Sequence, residues 1–172
     1  ERVPYQGGSL IGTVQHIGGP HSIRQSVSEL TSYEKIQGFD LPETIENFSN
    51  RLDKLVLEFN QLTSRWEDEG YEIAGYGAAR SNPTLLAQFK ISNKISFIVD
   101  NHPQKVNKYT PGDKIKVIPT KELIQKMPKY TIILAWVHAK NIISKSHEYL
   151  RKGGNFVLLL PEIKIITVED II

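Results

Sequence analysis

The sequence contains no cysteine, which excludes disulfides, thiolate zinc ligands and a cysteine nucleophile within this chain. That absence is compatible with a reducing compartment, and we expect a cytoplasmic protein. An excess of one charge is also lacking, because 21 Lys and Arg stand against 19 Asp and Glu, for a formal net charge of +2. Charge therefore predicts neither a nucleic-acid partner nor a membrane partner.

Long apolar runs are missing as well. None approaches the ~20 residues that a membrane span requires, and the opening residues "ERVPYQGGSL" lack the basic-then-apolar order of a secretory signal. What is present suits a globular domain, since 40% of the 172 residues are hydrophobic and 23% are charged. The chain begins with Glu1 rather than methionine, and we expect it to be a fragment of a longer protein.

From about residue 71 onward, apolar runs alternate with amphipathic stretches. The runs "YEIAGYG", "KISFIVD", "KIKVIP", "KYTIILAW" and "NFVLLLPEIKII" predict strands, the last of which continues into Glu162. Between them, "NPTLLAQFKI", "TKELIQKM" with Thr120 as N-cap, and "AKNIISKSHEYLRKGG" predict helices. This alternation predicts an α/β fold with a Rossmann-like, doubly wound, mostly parallel sheet.

Two further features precede that pattern. The run "SLIGTVQHI" lies between two Gly-Gly pairs and predicts a glycine-rich edge strand, for which a linker role without chemistry is the plainest interpretation. A polar segment able to form a short helix follows, and then a long amphipathic helix. Its apolar stripe recurs at three- and four-residue steps and predicts core positions, namely Phe48, Leu52, Leu55, Val56, Phe59, Leu62 and Trp66.

Ligands of doubly wound sheets bind beyond the carboxyl ends of the strands. The stretch "AGYGAARSNPTLL" joins the first predicted strand to a helix, and such a helix start can bind an anion such as phosphate. An arginine in the same turn can add a charge-assisted fork. The candidate binding residues at the strand ends are Gly75, Tyr76, Gly77, Ala78, Arg80, Ser81, Asn82, Thr84, Asp100, Asn101, Lys105, Lys108, Tyr109, Trp136, His138 and Glu162.

Other interpretations of these loops stay open. "GYGAAR" is a partial dinucleotide fingerprint in which Arg80 replaces the third small residue, and Asp100 follows about twenty residues later, where an acid often binds ribose. A nicotinamide-dinucleotide-dependent oxidoreductase domain is therefore one alternative. A tight turn without a ligand and a plain solvated loop are others. His138 suits either a base or a helix cap, and no histidine pair has metal-ligand spacing.

Six segments occur in a fixed order along the chain, namely "VPYQGGSL", "YEKIQGF", "GYGAARSNPTLL", "FIVDNHPQKVNKYTPGDKIKVIP", "YTIILAWVHAKNI" and "GGNFVLLLPEIKII". Together they resemble the C-terminal region of nucleotide-sugar C-methyltransferases. The long loop is the most specific of these, with matches at Asp100, Asn101, Pro103, Lys105, Tyr109, Pro111, Gly112 and Ile115. Ser81 and Val137 depart from the family pattern, in which lysine and asparagine are usual.

The resemblance implies a domain that helps to hold a nucleotide-linked ketosugar for methyl transfer from S-adenosylmethionine. It implies that the cofactor is bound by an upstream methyltransferase core, and that zinc belongs to an upstream domain only. Residues 1–20 would then be the last strand and linker of that core, and residues 21–172 the C-terminal domain. No catalytic residue or metal ligand is assigned to this chain, and the fragment alone is expected to be inactive. A non-catalytic interaction domain remains a third alternative.

Overall fold

The structure is a computed structural model that describes residues 1–5 and 8–172. The chain divides into two compact units, Glu1–Leu52 and Asp53–Ile172. The long helix α2 (Pro42–Asp68) begins in the first unit and ends in the second.

The first unit contains a short antiparallel pair, β1 (Arg2–Val3) and β2 (Ser9–Leu10), followed by helix α1 (Gln25–Ile36) and the start of α2. The predicted strand "SLIGTVQHI" ends at Leu10. Ile11 still exchanges two hydrogen bonds with Glu1, but residues 12–16 have no partner strand in the part of the chain that is described. Gly7 of the "GGSL" motif and its neighbour Gln6 lie outside the described residues. The assignment of Phe48 to the core is wrong, since 58% of its surface is exposed.

The second unit is built on a six-stranded sheet in the order β5-β4-β3-β6-β7-β8. Its strands are β3 (Ile73–Tyr76), β4 (Ile98–Asp100), β5 (Val117–Pro119), β6 (Tyr130–Ile133), β7 (Asn155–Leu158) and β8 (Lys164–Ile166). All neighbours pair in parallel except β7 and β8. Renumbered from the first strand, this is the 3-2-1-4-5-6 order of Rossmann folds, which confirms the predicted fold class.

Helices cover both faces of the sheet. The C-terminal part of α2 and helix α3 (Asn82–Phe89) contribute Phe59, Trp66 and Leu86 to one apolar cluster. Helices α4 (Glu122–Lys126), α5 (Ala139–Lys145) and α6 (His147–Arg151) contribute Leu123, Ile142 and Tyr149 to the cluster on the other face. Apolar side chains of the strands alternate between the two clusters, as a sheet buried on both faces requires. In the described part of the chain, no helix is long and apolar enough to cross a membrane.

Three local predictions were wrong. Thr120 does not cap α4, because its hydroxyl donates a hydrogen bond to the Asn101 side chain instead and Lys121 occupies the N-cap position. The helix predicted over 139–154 is two helices, since the backbone of Ser146 leaves the helical region at φ −124° and ψ 27°. The last strand stops at Leu158, and Pro161, which has no N–H for a ladder, precedes an antiparallel return by β8.

Candidate functional site

The candidate site lies at the carboxyl edge of the sheet where β3 and β6 are neighbours. From β3 the chain passes through α3 to β4 on one side, and from β6 it passes through α5 and α6 to β7 on the other. The strand order therefore reverses between these two strands. Loops diverge at such a point and leave a crevice, which is where ligands of open α/β sheets bind.

Gly77 makes the turn out of β3 possible. Its φ is +90°, a region that residues with a Cβ rarely adopt, and a Cβ at this position would lie 2.5 Å from the Cβ of Ala135. Gly75 is packed in the same way, since its Cβ would lie 2.8 Å from Leu134 Cδ1 and 2.9 Å from Ile98 Cγ1. The space beside both glycines is thus filled by the residues that directly follow β6 and, at Gly75, also by Ile98 of β4.

Asp100, at the end of β4, braces this turn. Its Oδ2 accepts a hydrogen bond from the Ala78 N–H at 2.7 Å, and its Oδ1 accepts one from the His102 N–H at 2.7 Å. Lys105 Nζ lies 3.6 Å from the same Oδ2. The carboxylate therefore joins the turn after β3 to the loop after β4, and both of its oxygens are engaged within the chain.

The next backbone N–H groups are free. The N–H of Gly77 donates to the Val99 carbonyl in the sheet, whereas those of Ala79, Arg80 and Ser81 have no hydrogen-bond acceptor among the described residues. These three residues lie in the turn directly before α3, beside a helix N-terminus that carries partial positive charge. Arg80 is exposed beside them. Successive free amides at a helix start, next to a guanidinium, form an arrangement that suits an anion.

Asn82 fixes the shape of this turn from within. The residue is only 2% exposed, and its Nδ2 donates a 2.7 Å hydrogen bond to the Gly77 carbonyl. Its Oδ1 is buried and has no partner among the described residues. Sequence reasoning assigned Asn82 to ligand binding or capping, but the contact that the structure shows is with the turn itself. Ser81 occupies the N-cap position, and its side chain makes no capping hydrogen bond.

Tyr76, the last residue of β3, has a perturbed pKa. Burial raises the pKa of its hydroxyl above the ordinary 10.0, the negative charge of Asp100 raises it further, and a hydrogen bond with Ser146 lowers it. The hydroxyl is protonated at neutral pH, as that of an ordinary tyrosine is, so the raised pKa by itself assigns no role to Tyr76.

The long loop after β4 is folded back on β5. The Val117 N–H donates to the Lys108 carbonyl at 2.8 Å, and Tyr109 pairs antiparallel with Lys116. Lys108 and Tyr109 therefore lie along the outer edge of the sheet, beyond β5 as seen from β4. Asn101 and Lys105 lie nearer to the turn, because they directly follow β4 and Lys105 reaches Asp100.

The remaining predicted residues follow β6 and β7. Trp136 packs partly buried against the same apolar cluster as Ala78, which places it on the face of the sheet that carries α3. His138 is exposed and precedes α5 without a side-chain capping bond. Glu162 is exposed in the turn between β7 and β8, and β6 and β7 separate it from the turn after β3. Thr84 is exposed in the first turn of α3.

Sequence reasoning missed two residues that shape the site. Ala135 limits the turn after β3 to glycine, and Thr120 holds the Asn101 side chain. A small residue directly after β6 was the available signal for the first, and no sequence signal indicated the second. Among the described residues, no group of three or more His, Asp or Glu side chains is arranged to hold a metal ion.

Comparisons with known proteins indicate the family. Residues 4–161 match the family described as the C-methyltransferase C-terminal domain. A curated relative, the C-methyltransferase NovU of Streptomyces niveus, is 29% identical over 165 residues, which are 95% of this chain and 39% of that protein. The chain thus spans well under half the length of this relative. On the family match, which covers most of its length, the chain belongs to the C-methyltransferase C-terminal domain family.

Proposed function

We propose that this chain is the substrate-binding domain of a sugar C-methyltransferase and that it binds the phosphates of a nucleotide-linked ketosugar at the start of α3. The observation that carries the proposal is the row of free N–H groups at Ala79, Arg80 and Ser81 beside the exposed Arg80 side chain. Family membership supports the enzyme class. The position at the reversal of strand order supports a ligand site.

The charges around the turn favour an anion. Asp100 is the nearest carboxylate in the contacts of the turn, and its oxygens already accept two backbone N–H groups and face Lys105. Arg80 can approach a phosphate with two parallel N–H donors, and hydrogen bonds of this charge-assisted kind are about twice as strong as neutral ones. A diphosphate offers enough oxygen atoms to accept from both the amides and the guanidinium.

The neutral part of the substrate has fewer candidate partners than the sequence suggested. Lys105 keeps donors beyond the one that faces Asp100, and Asn101 keeps its amide N–H groups, so both can bind sugar or nucleoside hydroxyls. Tyr76 packs against the apolar cluster on the face that carries α4, α5 and α6, opposite α3, and is not a partner in this proposal. Lys108, Tyr109 and Glu162 lie at other strands of the sheet and can join only if the ligand extends along its edge.

In this proposal the chain contributes positioning. S-adenosylmethionine supplies the methyl group, and it is held, like the zinc ion, by a part of the full-length protein outside this chain. The methyl acceptor is the carbon next to the keto group, and the base that deprotonates that carbon also belongs to the core. Anchoring the phosphates limits the positions that this carbon can take, and such alignment is a large contribution to catalysis.

The nicotinamide alternative has less support. In dinucleotide-binding domains the acid after the second strand binds the ribose hydroxyls. Here the equivalent Asp100 accepts hydrogen bonds from Ala78 and His102 and pairs with Lys105. A ribose would have to compete with these contacts.

The proposal is tested by calorimetric titration of the chain with a nucleoside diphosphate, a nucleotide sugar and a nicotinamide dinucleotide. We expect saturable binding of the first two. The Arg80→Ala variant should bind them about tenfold or more weakly, as the loss of a hydrogen bond to a charged group predicts. Arg151→Ala is the matched control, because this exposed arginine ends α6 at the amino edge of the sheet.

Equal affinities of the wild type and Arg80→Ala would contradict the phosphate site. Preferential binding of the nicotinamide dinucleotide would instead favour the oxidoreductase alternative. If neither nucleotide ligand binds the chain, the same titration is made with the full-length protein and its Arg80→Ala variant. A continued absence of binding there would overturn the proposal.

A further inference from the structure

The peptide group between Gly77 and Ala78 is held by a side chain at each end. Its carbonyl oxygen, on Gly77, accepts a 2.7 Å hydrogen bond from Asn82 Nδ2, and its N–H, on Ala78, donates one of 2.7 Å to Asp100 Oδ2. The C=O and N–H of a trans peptide point in opposite directions, so the two side chains together fix the plane of this group. Gly77 has no Cβ to limit rotation of that plane. Its orientation therefore depends on these two hydrogen bonds.

The backbone of Asn82 orients a second peptide group of the same turn. Its N–H donates to the Ala79 carbonyl at 3.1 Å. The Arg80 N–H belongs to the same peptide group as that carbonyl, so it points away from Asn82. Asn82, which is only 2% exposed, thus holds the turn from the protein side. The free N–H of Arg80 is directed to the opposite side.

The Asn82 carboxamide is only half satisfied. Its Oδ1 is buried and has no hydrogen-bond partner among the described residues. A buried acceptor without a partner costs free energy that an apolar side chain of similar shape would avoid. What the side chain contributes in return is the single hydrogen bond from Nδ2 to the Gly77 carbonyl, which orients the turn.

We propose that Asn82 is a positioning residue of the phosphate site, which acts through the turn and does not touch the ligand. The inference rests on the proposed function, because it concerns the N–H groups to which phosphate binding is assigned there. Without the Asn82 donor, the buried Gly77 carbonyl loses its partner, and the peptide plane can rotate toward another donor. Rotation turns the Ala78 N–H away from Asp100 and displaces the free N–H groups that follow. Only the fraction of molecules with the original turn then binds phosphate, which weakens the apparent affinity.

Two measurements on Asn82→Leu test this proposal. Leucine keeps the branching of the side chain and removes the donor. We expect the Ala78 amide of the ligand-free variant to exchange about tenfold faster than in the wild type, as followed by NMR. We also expect the Kd for uridine diphosphate, measured by calorimetry, to be about fivefold or more higher. Asn82→Ala, which cannot overfill the site, should repeat both effects.

Asn60→Leu is the matched control. Asn60 Nδ2 donates to the carbonyls of Val56 at 2.8 Å and Phe89 at 2.9 Å, so this amide holds the other end of α3. The control should lower the free energy of unfolding in urea while Ala78 exchange and the Kd stay at their wild-type values. A merely structural role for Asn82 predicts the same result for its own variants, namely lower stability with unchanged affinity.

Each outcome decides the question. Faster Ala78 exchange and weaker binding in both Asn82 variants, with neither in Asn60→Leu, would support the proposal. Wild-type affinity or wild-type Ala78 exchange in the folded Asn82 variants would overturn it, and so would equal weakening in Asn60→Leu. A wild type that binds no uridine diphosphate, as this chain and as the full-length protein, would overturn the proposed function and this inference with it. The behaviour of the wild type therefore distinguishes the two failures.

Discussion

Replacing Gly77 with alanine tests whether the turn after β3 has the tight geometry described above. Two costs add in this variant. Holding a residue with a Cβ at a φ of +90° costs about 1–2 kcal/mol. The new Cβ would also lie 2.5 Å from the Ala135 Cβ, well inside ordinary van der Waals contact, and overpacking of this kind costs about 1–3 kcal/mol. We expect a loss of about 2–5 kcal/mol in the free energy of unfolding.

Gly153→Ala separates the two costs. Gly153 has a φ of +93° with no heavy atom within 4 Å of a Cβ built there, so this variant should carry the backbone cost alone. Urea denaturation followed by circular dichroism gives both free energies, with similar m-values showing that the transitions are comparable. Equal losses in the two variants would refute the packing argument.

A double-mutant cycle with Ala135→Gly isolates the contact itself. Without the Cβ of residue 135, the nearest neighbours of the methyl group introduced at position 77 are the backbone N of residue 135 at 3.4 Å and its Cα at 3.5 Å. These are ordinary contacts. Gly77→Ala should therefore cost about 1–3 kcal/mol less in the Ala135→Gly background than in the wild type. Strict additivity of the two substitutions would show that Gly77 and Ala135 do not approach each other as described.

Three further predictions concern the brace, the core and a buried hydroxyl. Asp100→Asn should lower the free energy of unfolding by about 1–3 kcal/mol in urea titrations, because it weakens the acceptor for two backbone N–H groups and removes the charge facing Lys105. No loss would mean that the carboxylate does not brace the turn. Phe59→Ala should lower the free energy of unfolding by about 3–5 kcal/mol in the same assay, because the Phe59 side chain is 0% exposed. Phe48→Ala in this chain should lower it far less, because Phe48 is 58% exposed. Equal losses would contradict the assigned burial. Burial raises the pKa of the Tyr149 hydroxyl above its ordinary 10.0, so its contribution to stability is complete below pH 10 and is lost as the unfolded chain ionises at higher pH. Thermal unfolding between about pH 8 and about pH 11 should therefore show a shallower decline for Tyr149→Phe than for the wild type, and parallel curves would contradict the assigned burial.

The fold class could be predicted because each strand of the second unit is an apolar run bounded by a helix or a polar loop. Burial on both faces removes the alternation of polar and apolar residues, which is the signature of parallel strands. The direction of β8 was not predictable in this way, since a reversal after Pro161 and a continued strand have similar compositions. The break at Ser146 was missed for a related reason, because the apolar spacing of α5 and α6 reads as one helix.

The site was predicted at the level of its position more than of its contacts. Strand ends are readable from the sequence, so Tyr76, Arg80 and Asp100 were placed at one edge of the sheet. The partners of Asp100 were not readable, because the Ala78 N–H comes from a different strand end and its approach depends on strand order. Lys108 and Tyr109 were grouped with the turn by proximity in sequence, whereas the loop folds back along β5.

The first unit was the least predictable part of the chain, because its apolar residues do not reveal what covers them. The apolar stripe of α2 indicates burial at Phe48 as strongly as at Phe59, and spacing cannot say whether the cover comes from this chain. The prediction that residues 1–20 belong to an upstream core stays a prediction.

Residue-resolved amide NMR during a titration with a nucleoside diphosphate tests the central claim most directly. We expect saturable shifts concentrated at residues 77–84, with the largest at Ala79, Arg80 and Ser81, and smaller shifts at residues 100–105. The same titration of Arg80→Ala should require about tenfold more ligand. Shifts centred on Tyr109 or on Glu162, with residues 79–81 unmoved, would contradict the claim that phosphates bind at the start of α3.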